Sequence, residues 1–270
     1  MQLANKTIIV VGLGSTGIAV ARFLKNRGAE VIVSDQAAQE TLGSRAKKIH
    51  EMGIAMELGR HRTQTFERAD LVVLSPGVSH TIEPVLRAKK RGVPVIGEIE
   101  LASRFIKEPI IAITGTNGKT TTTELLGSML TRSGFNVFVG GNIGNPLIGY
   151  ADGKQKADVI VAEISSFQLD TIDAFRPRIS VLLNITVDHL DRYPSFDAYA
   201  ASKLRIFKNQ QPNDLAVLNG SNPLVRSLTA PLKITKLYYG SLNSEELGAV
   251  NNGTRIRFHF KESKQQDNKG

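Results

Sequence analysis

Along the first hundred residues, short runs of β-branched and apolar residues alternate with stretches whose apolar positions recur at three- and four-residue spacing. Ile8–Val11, Val31–Ser34 and Leu71–Leu74 are predicted strands. Between the first two, Ala19, Val20, Phe23 and Leu24 form one helical stripe, and Gly28 ends that helix. Strand alternating with helix is the pattern of βαβ units around a parallel sheet. The pattern resets at 93–109: Pro94 and Gly97 close the first unit, a helical segment from about Glu98 to Ile106 bridges, and Pro109 precedes a new strand. Residues 1–97 and 98–270 are therefore expected to be separate domains. The second opens with strand Ile110–Thr114, a glycine loop, and a helix whose Leu125, Leu126, Met129 and Leu130 are expected to face a core. Strands at Val159–Glu163, Ser180–Asn184 and Leu215–Leu218 follow, with a helix over 197–208. Residues 255–260 alternate in period two, as a half-exposed antiparallel strand does. The last ten, KESKQQDNKG, carry no apolar pattern and read as frayed. The fold class expected is α/β: a Rossmann-like parallel-sheet domain followed by a P-loop-type α/β ATPase domain.

Composition narrows the class without naming it. A chain of 270 residues has room for two buried cores, and 41% hydrophobic with 22% charged residues is ordinary for a water-soluble protein. No apolar run reaches membrane-span length, and the N-terminus lacks the basic lead and apolar core of a secretory signal. The absence of cysteine excludes disulfides and thiolate metal sites. These features point to a cytoplasmic protein. A net charge of +9 suits anionic ligands. The basic residues are scattered rather than gathered in a stripe with interleaved aromatics, so no nucleic-acid partner is expected.

Two glycine loops carry the candidate chemistry. VVGLGSTG at 10–17 sets Gly12, Gly14 and Gly17 between a strand and a helix, with Asp35 ending the next strand. This is the dinucleotide fingerprint, with an acid placed for a ribose hydroxyl. Its backbone N–H groups suit any diphosphate, so a nucleotide sugar fits as well as a nicotinamide dinucleotide. Glycines that merely permit a tight turn are the plain alternative. IIAITGTNGKTTTT at 110–123 departs from the P-loop rule, because Ile113 stands where the first glycine belongs and the nearest is Gly115. It keeps the physical parts. Gly115 and Gly118 allow backbone amides close to phosphate oxygens, with Thr116, Asn117 and Thr121 completing the loop. Lys119 places charge on the β- and γ-phosphates, and the Thr120 hydroxyl reaches Mg²⁺. A nicotinamide-dependent oxidoreductase leaves the second loop unexplained, a plain ATPase leaves the first, and a non-catalytic nucleotide-binding module stays open.

TGTNGKTTT at 114–122, SPGV at 75–78, GGNIGNP at 140–146, EISSFQL at 163–169 and NITVDHLDRYPSFDAYAASKLRIF at 184–207 together resemble the Mur ligases, ATP-dependent amide-forming enzymes of peptidoglycan precursor synthesis. Within them the resemblance is to the D-glutamate-adding branch, and it spans residues 8 to about 207. That family uses a shortened phosphate loop, which accounts for the displaced glycine. A folate polyglutamate ligase is a weaker match, since its loop departs from Thr-Thr after the lysine. The resemblance implies that the N-terminal domain holds the UDP part of a nucleotide sugar, without nicotinamide, lined by Ser15, Thr16, Asp35 and the Ser75-Pro76-Gly77 turn. Gln36 and Ala37 stand where many relatives have a hydroxyl and an arginine.

The implied reaction transfers the γ-phosphoryl of ATP to the carboxylate of UDP-MurNAc-L-Ala, and the amine of D-glutamate then displaces phosphate. Two anions must meet, so positive charge is the first catalytic requirement. Lys119 supplies part of it and two Mg²⁺ ions the rest, with Thr120, Glu163, His189 and a carbamate on Lys203 as implied ligands. Asn142 and His189 are implied to touch the substrate near its reactive end. Independently of the family, Tyr199, Lys203 and Phe207 fall on one helical face, where a lysine between aromatics is buried and its neutral form favoured. A snorkelling surface lysine is the plain alternative. The family carries a third, amino-acid-binding domain for which residues up to Gly270 leave no room, so a monomeric fragment with little turnover is expected.

Overall fold

The computed structural model describes residues 1–243, 246–251 and 255–259. Two sheets organise it. The first contains β1 (Thr7–Val11), β2 (Glu30–Asp35), β3 (Ala55–Leu58), β4 (Leu71–Leu74) and β5 (Val95–Gly97), all parallel, in the order β3-β2-β1-β4-β5. Ile8 and Val10 face one core while Ile9 and Val11 face another, which is why β1 is an unbroken apolar run rather than an alternating one.

The second sheet contains β6 (Ile110–Thr114), β7 (Val137–Gly141), β8 (Val159–Glu163), β9 (Ile179–Leu182), β10 (Leu215–Asn219), β11 (Thr235–Tyr239), β12 (Leu247–Asn251) and β13 (Ile256–His259). Its order is β13-β12-β11-β10-β9-β6-β8-β7, parallel throughout except for the antiparallel β12–β13 pair. The chain leaves β6 toward β8 and β7 on one side and later returns as β9 on the other. β1 has the same relation to β2 and β4. Both glycine loops thus sit at switch points of strand order, where open α/β sheets gather ligands.

The expected strands and helices are present, with corrections. Leu125 and Met129 do not face a core; they are 59% and 57% exposed. The helix Lys119–Arg132 packs on the sheet through buried Thr123 and Gly127, flanked by Leu126 and Leu130. A Cβ on Gly127 would lie 2.5 Å from Val139 Cγ2, so small residues set the contact and turn the larger ones outward. The bridging helix is Glu98–Ser103, shorter than expected, and the strand expected over Ser180–Asn184 ends at Leu182. The segment 197–208 is a helix Phe196–Leu204 that tightens to a 3₁₀ turn at Arg205–Phe207. β13 is antiparallel, but all four of its residues are exposed, as befits an edge strand. Phe260 and the tail 261–270 lie outside the described residues. Among the described residues no helix is long and apolar enough to cross a membrane.

Candidate active site

The first loop is braced from two sides. Gly12 has φ +92°, and a Cβ on Gly17 would fall 1.9 Å from the Gly12 carbonyl oxygen. Asp35 accepts the Leu13 N–H (2.6 Å) on one carboxylate oxygen and the Ala37 N–H (2.8 Å) on the other. Ser75 Oγ donates to the Gly12 carbonyl (3.0 Å). Asp35 and Ser75 therefore shape the loop through its backbone. The helix Ser15–Lys25 that follows has no side-chain cap and no acid in its first turn, which leaves its N–H groups, at Ser15 and Thr16, open to an anion. Pro76 and Gly77 lie in the turn closed by the Val78 N–H to Ser75 carbonyl bond (3.0 Å). A cavity of about 280 Å³ runs along these loops and includes Gly12, Asp35, Gly77 and, from the second unit, Arg192. A neighbouring cavity of about 260 Å³ shares Ser79 and Arg192 and reaches Phe167, Asp170 and Tyr193. Together they make a path between the sheets.

In the second loop Asn184 does work that the residue pattern left unassigned. Its side-chain oxygen accepts the N–H groups of Thr116 (3.1 Å) and Asn117 (2.9 Å), and its amide donates to the Asn117 carbonyl (3.0 Å). Thr116 is buried, its hydroxyl 3.1 Å from Tyr199 Oη. With those two amides engaged, the open donors are at the start of the helix Lys119–Arg132, whose N-cap Gly118 (φ +82°) offers no side chain. Gly115 (φ +155°) is held tightly, since a Cβ there would meet Leu183 Cβ at 3.0 Å. Lys119 Nζ folds back onto the Thr116 carbonyl (2.9 Å), over the same loop. Thr121 is exposed on the first turn.

Glu163 ends β8 beside this helix. It is 2% exposed; one oxygen accepts the Thr120 hydroxyl (2.7 Å) and the other the Asn142 amide (2.9 Å). No ion pair to Glu163 exists among the described residues. A buried carboxylate with only neutral partners, next to a hydroxyl, has the hard-oxygen character of a Mg²⁺ site, so the residues fit that ion. The Ser-Ser-Phe-Gln run after it is a capping box: Ser165 Oγ accepts the Gln168 N–H and Gln168 Oε1 accepts the Ser165 N–H.

Lys203, Tyr199 and Phe207 share one buried face, at 2%, 0% and 4% exposure, so the lysine does not snorkel. Its Nζ donates to the Gly115 carbonyl (2.8 Å) and lies 4.6 Å from the Tyr199 ring centroid. Burial, reinforced by the positive charge of Lys119, lowers the Lys203 pKa to about 7. His189 has φ +53° and a half-exposed ring that rests on Phe167 and Tyr199, with Nε2 3.6 Å from Asp188. Lys203 is thus brought to the phosphate loop and Glu163 to Thr120. His189 meets the lysine only through the shared Tyr199. Among the described residues no three histidine, aspartate or glutamate side chains are grouped to hold a metal.

Comparison with known proteins bears on this geometry. The profile described as "Mur ligase MurD-like, N-terminal domain" matches residues 6–97, and that of the "Mur ligase middle domain" matches residues 113–268. The chain is 51% identical over 258 residues to a UDP-N-acetylmuramoylalanine–D-glutamate ligase of Desulfatibacillum aliphaticivorans, covering 96% of this chain and 57% of the relative. It is 49% identical over 261 residues to the ligase of the same name from Geobacter sp. (strain M21), covering 97% and 58%. The chain therefore spans less than three fifths of the relatives it matches. In fold it is similar to the UDP-N-acetylmuramate:L-alanyl-gamma-D-glutamyl-meso-diaminopimelate ligase of Neisseria meningitides, with a TM-score of 0.60 at 21% identity over 94% of this chain and 85% of that one. Because one family profile covers more than half of its residues and a second covers the remaining sheet, the chain belongs to the Mur ligase family.

Proposed function

We propose that the chain serves the ATP-dependent ligation of D-glutamate to UDP-N-acetylmuramoyl-L-alanine, the activity named for its relatives. In this reading residues 1–97 take the UDP group and residues 98–270 take ATP. The observation that carries it is buried Glu163 bonded to Thr120 at the foot of an uncapped helix bearing Lys119, with Lys203 bonded to the same loop. The helix N–H groups and Lys119 receive the phosphates and hold the γ-phosphoryl for in-line transfer to the substrate carboxylate. Bound Mg²⁺, held through Thr120 and Glu163, would neutralise charge between the two anions. Asn142 orients Glu163 and faces the same space. The neutral Lys203 amine adds CO₂ at Nζ with loss of one proton to solvent, giving a carbamate as a further anionic oxygen ligand beside His189. The two linked cavities run from the diphosphate loop to Phe167 and Tyr193 and offer room for the sugar.

Calorimetric titration with UDP-MurNAc-L-Ala, Mg·ATP and NAD tests the proposal. Binding of the first two without NAD is expected. NAD binding with neither of the others would overturn it.

A further inference from the structure

His61 has no role in the chemistry above, yet it stands at one end of the proposed UDP cavity. Four loop ends line the edge of the first sheet in the order of its strands. Gly77 follows β4, Gly12 follows β1, Asp35 and Gln36 end β2, and His61 follows β3. A diphosphate at the glycine loop occupies the β1–β4 crossover, so the rest of the nucleotide extends over β2 toward β3. Both Asp35 oxygens already hold loop N–H groups. The His61 ring is fixed from behind. Its Nδ1 lies 2.8 Å from Ser34 Oγ, and its face meets buried Phe66 edge-on at 5.7 Å. Ser34 is fully buried and among the described residues this is its hydroxyl's only hydrogen bond, so the hydroxyl donates to Nδ1 and the ring proton is on Nε2. Burial lowers the His61 pKa, which keeps the ring neutral. Nε2 itself has no partner within the described residues.

We infer that His61 is a specificity-determining residue for the nucleotide base, its Nε2–H donating to a ring carbonyl; this rests on the UDP reading of the first cavity. A uracil presents a carbonyl at the position where cytosine presents an amine, so the donor favours uracil and opposes cytosine. The Gln36 amide, exposed at the same wall, is free to adapt to either.

Calorimetry with UDP and CDP on the wild type, His61→Leu and His61→Gln tests this. The wild type is expected to prefer UDP. His61→Leu should lose roughly ten-fold in UDP affinity with CDP unchanged, the scale of one hydrogen bond to a buried group. His61→Gln, which returns an N–H near the Nε2 position, should recover the UDP affinity. Unchanged UDP affinity in His61→Leu, or equal loss of UDP and CDP without recovery in His61→Gln, overturns the inference and leaves the UDP site standing. A wild type that binds neither nucleotide overturns the UDP reading itself. Should His61→Leu fail to fold, ¹⁵N histidine spectra of the wild type decide: the His61 Nε2 resonance moves with UDP and not with CDP, or the inference fails.

Discussion

Single residues in this protein do their work through burial. Glu98 is 1% exposed; one oxygen takes the Ile148 N–H at 2.7 Å and the other has no partner among the described residues. Burial raises its pKa from 4.5 to about 7. The folded state therefore keeps a proton that the unfolded chain releases, and this group's contribution is full below pH 4.5 and lost as pH rises through 7. The shift corresponds to about 3 kcal/mol. Glu98→Gln, a mimic of the neutral acid, is expected to flatten that decline, read from urea midpoints between pH 4.5 and 7.5; parallel profiles for variant and wild type would refute it. Lys203 carries the opposite case, a cation pressed toward neutrality. With ¹³C-bicarbonate, a carbamate carbon signal is expected in the wild type and absent in Lys203→Met, and its absence from both would remove the carbamate. Lys203 was legible from sequence because its neighbours at four-residue spacing are aromatic. Glu98 and Asn184 were not, because their partners are backbone groups 50 and 68 positions away, which no local pattern encodes.

At the level of elements, motif and geometry part company within one loop. The pattern G-x-G-x-x-G treats its three glycines alike, but the space around them differs. Gly14 has φ −83° and nothing within 4 Å of a built Cβ, whereas Gly17 would drive a Cβ to 1.9 Å from a carbonyl oxygen. Gly14→Ala is expected to shift stability by under about 0.5 kcal/mol, and Gly17→Ala to cost roughly 2–4 kcal/mol by forcing helix Ser15–Lys25 off the loop. Thermal melts of both variants, with UDP titration of each, check this; equal effects would mean the loop yields more easily than its contacts indicate. The strands read from sequence are β1, β2, β4, β6, β8, β9 and β10, each with a neighbour on both sides in its sheet, and the edge strand β13, read from its period-two alternation. β3, β5 and β7 escaped as edge strands, and β11 and β12, though paired on both sides, because partial exposure admits Lys236 or glycine. The helix Lys119–Arg132 misled in the other sense: Leu125 and Met129 face outward, while Leu126 and Leu130 flank the close contact that Thr123 and Gly127 make with the sheet.

Across the whole molecule the two sheets are joined by groups that are costly to leave unpaired. Glu100, fully buried, accepts the N–H groups of Asp173, Ala174 and Phe175 at 2.8–3.0 Å on one oxygen and Arg104 on the other. Arg27 reaches across to Asp152 (3.0 Å) and the Ala151 carbonyl (3.2 Å) while stacking on Phe23. A single apolar core runs from Leu3 to Val225 beneath both sheets. The two glycine loops are thereby held at a fixed separation, as the proposed reaction between two bound anions requires. Separate unfolding of the units would leave Arg27 and Asp152 without each other and expose shared apolar surface, so the wild type is expected to unfold in one transition with calorimetric and van't Hoff enthalpies in agreement. Glu100→Ala leaves three backbone donors, that of Phe175 buried, and the Arg104 Nε without their acceptor, at a cost of about 3 kcal/mol. Combined with Asp152→Ala, it should split the calorimetric trace into two peaks, of which only one shifts upward with UDP. A single peak in the double variant would place the coupling in the shared apolar core instead of these polar bonds.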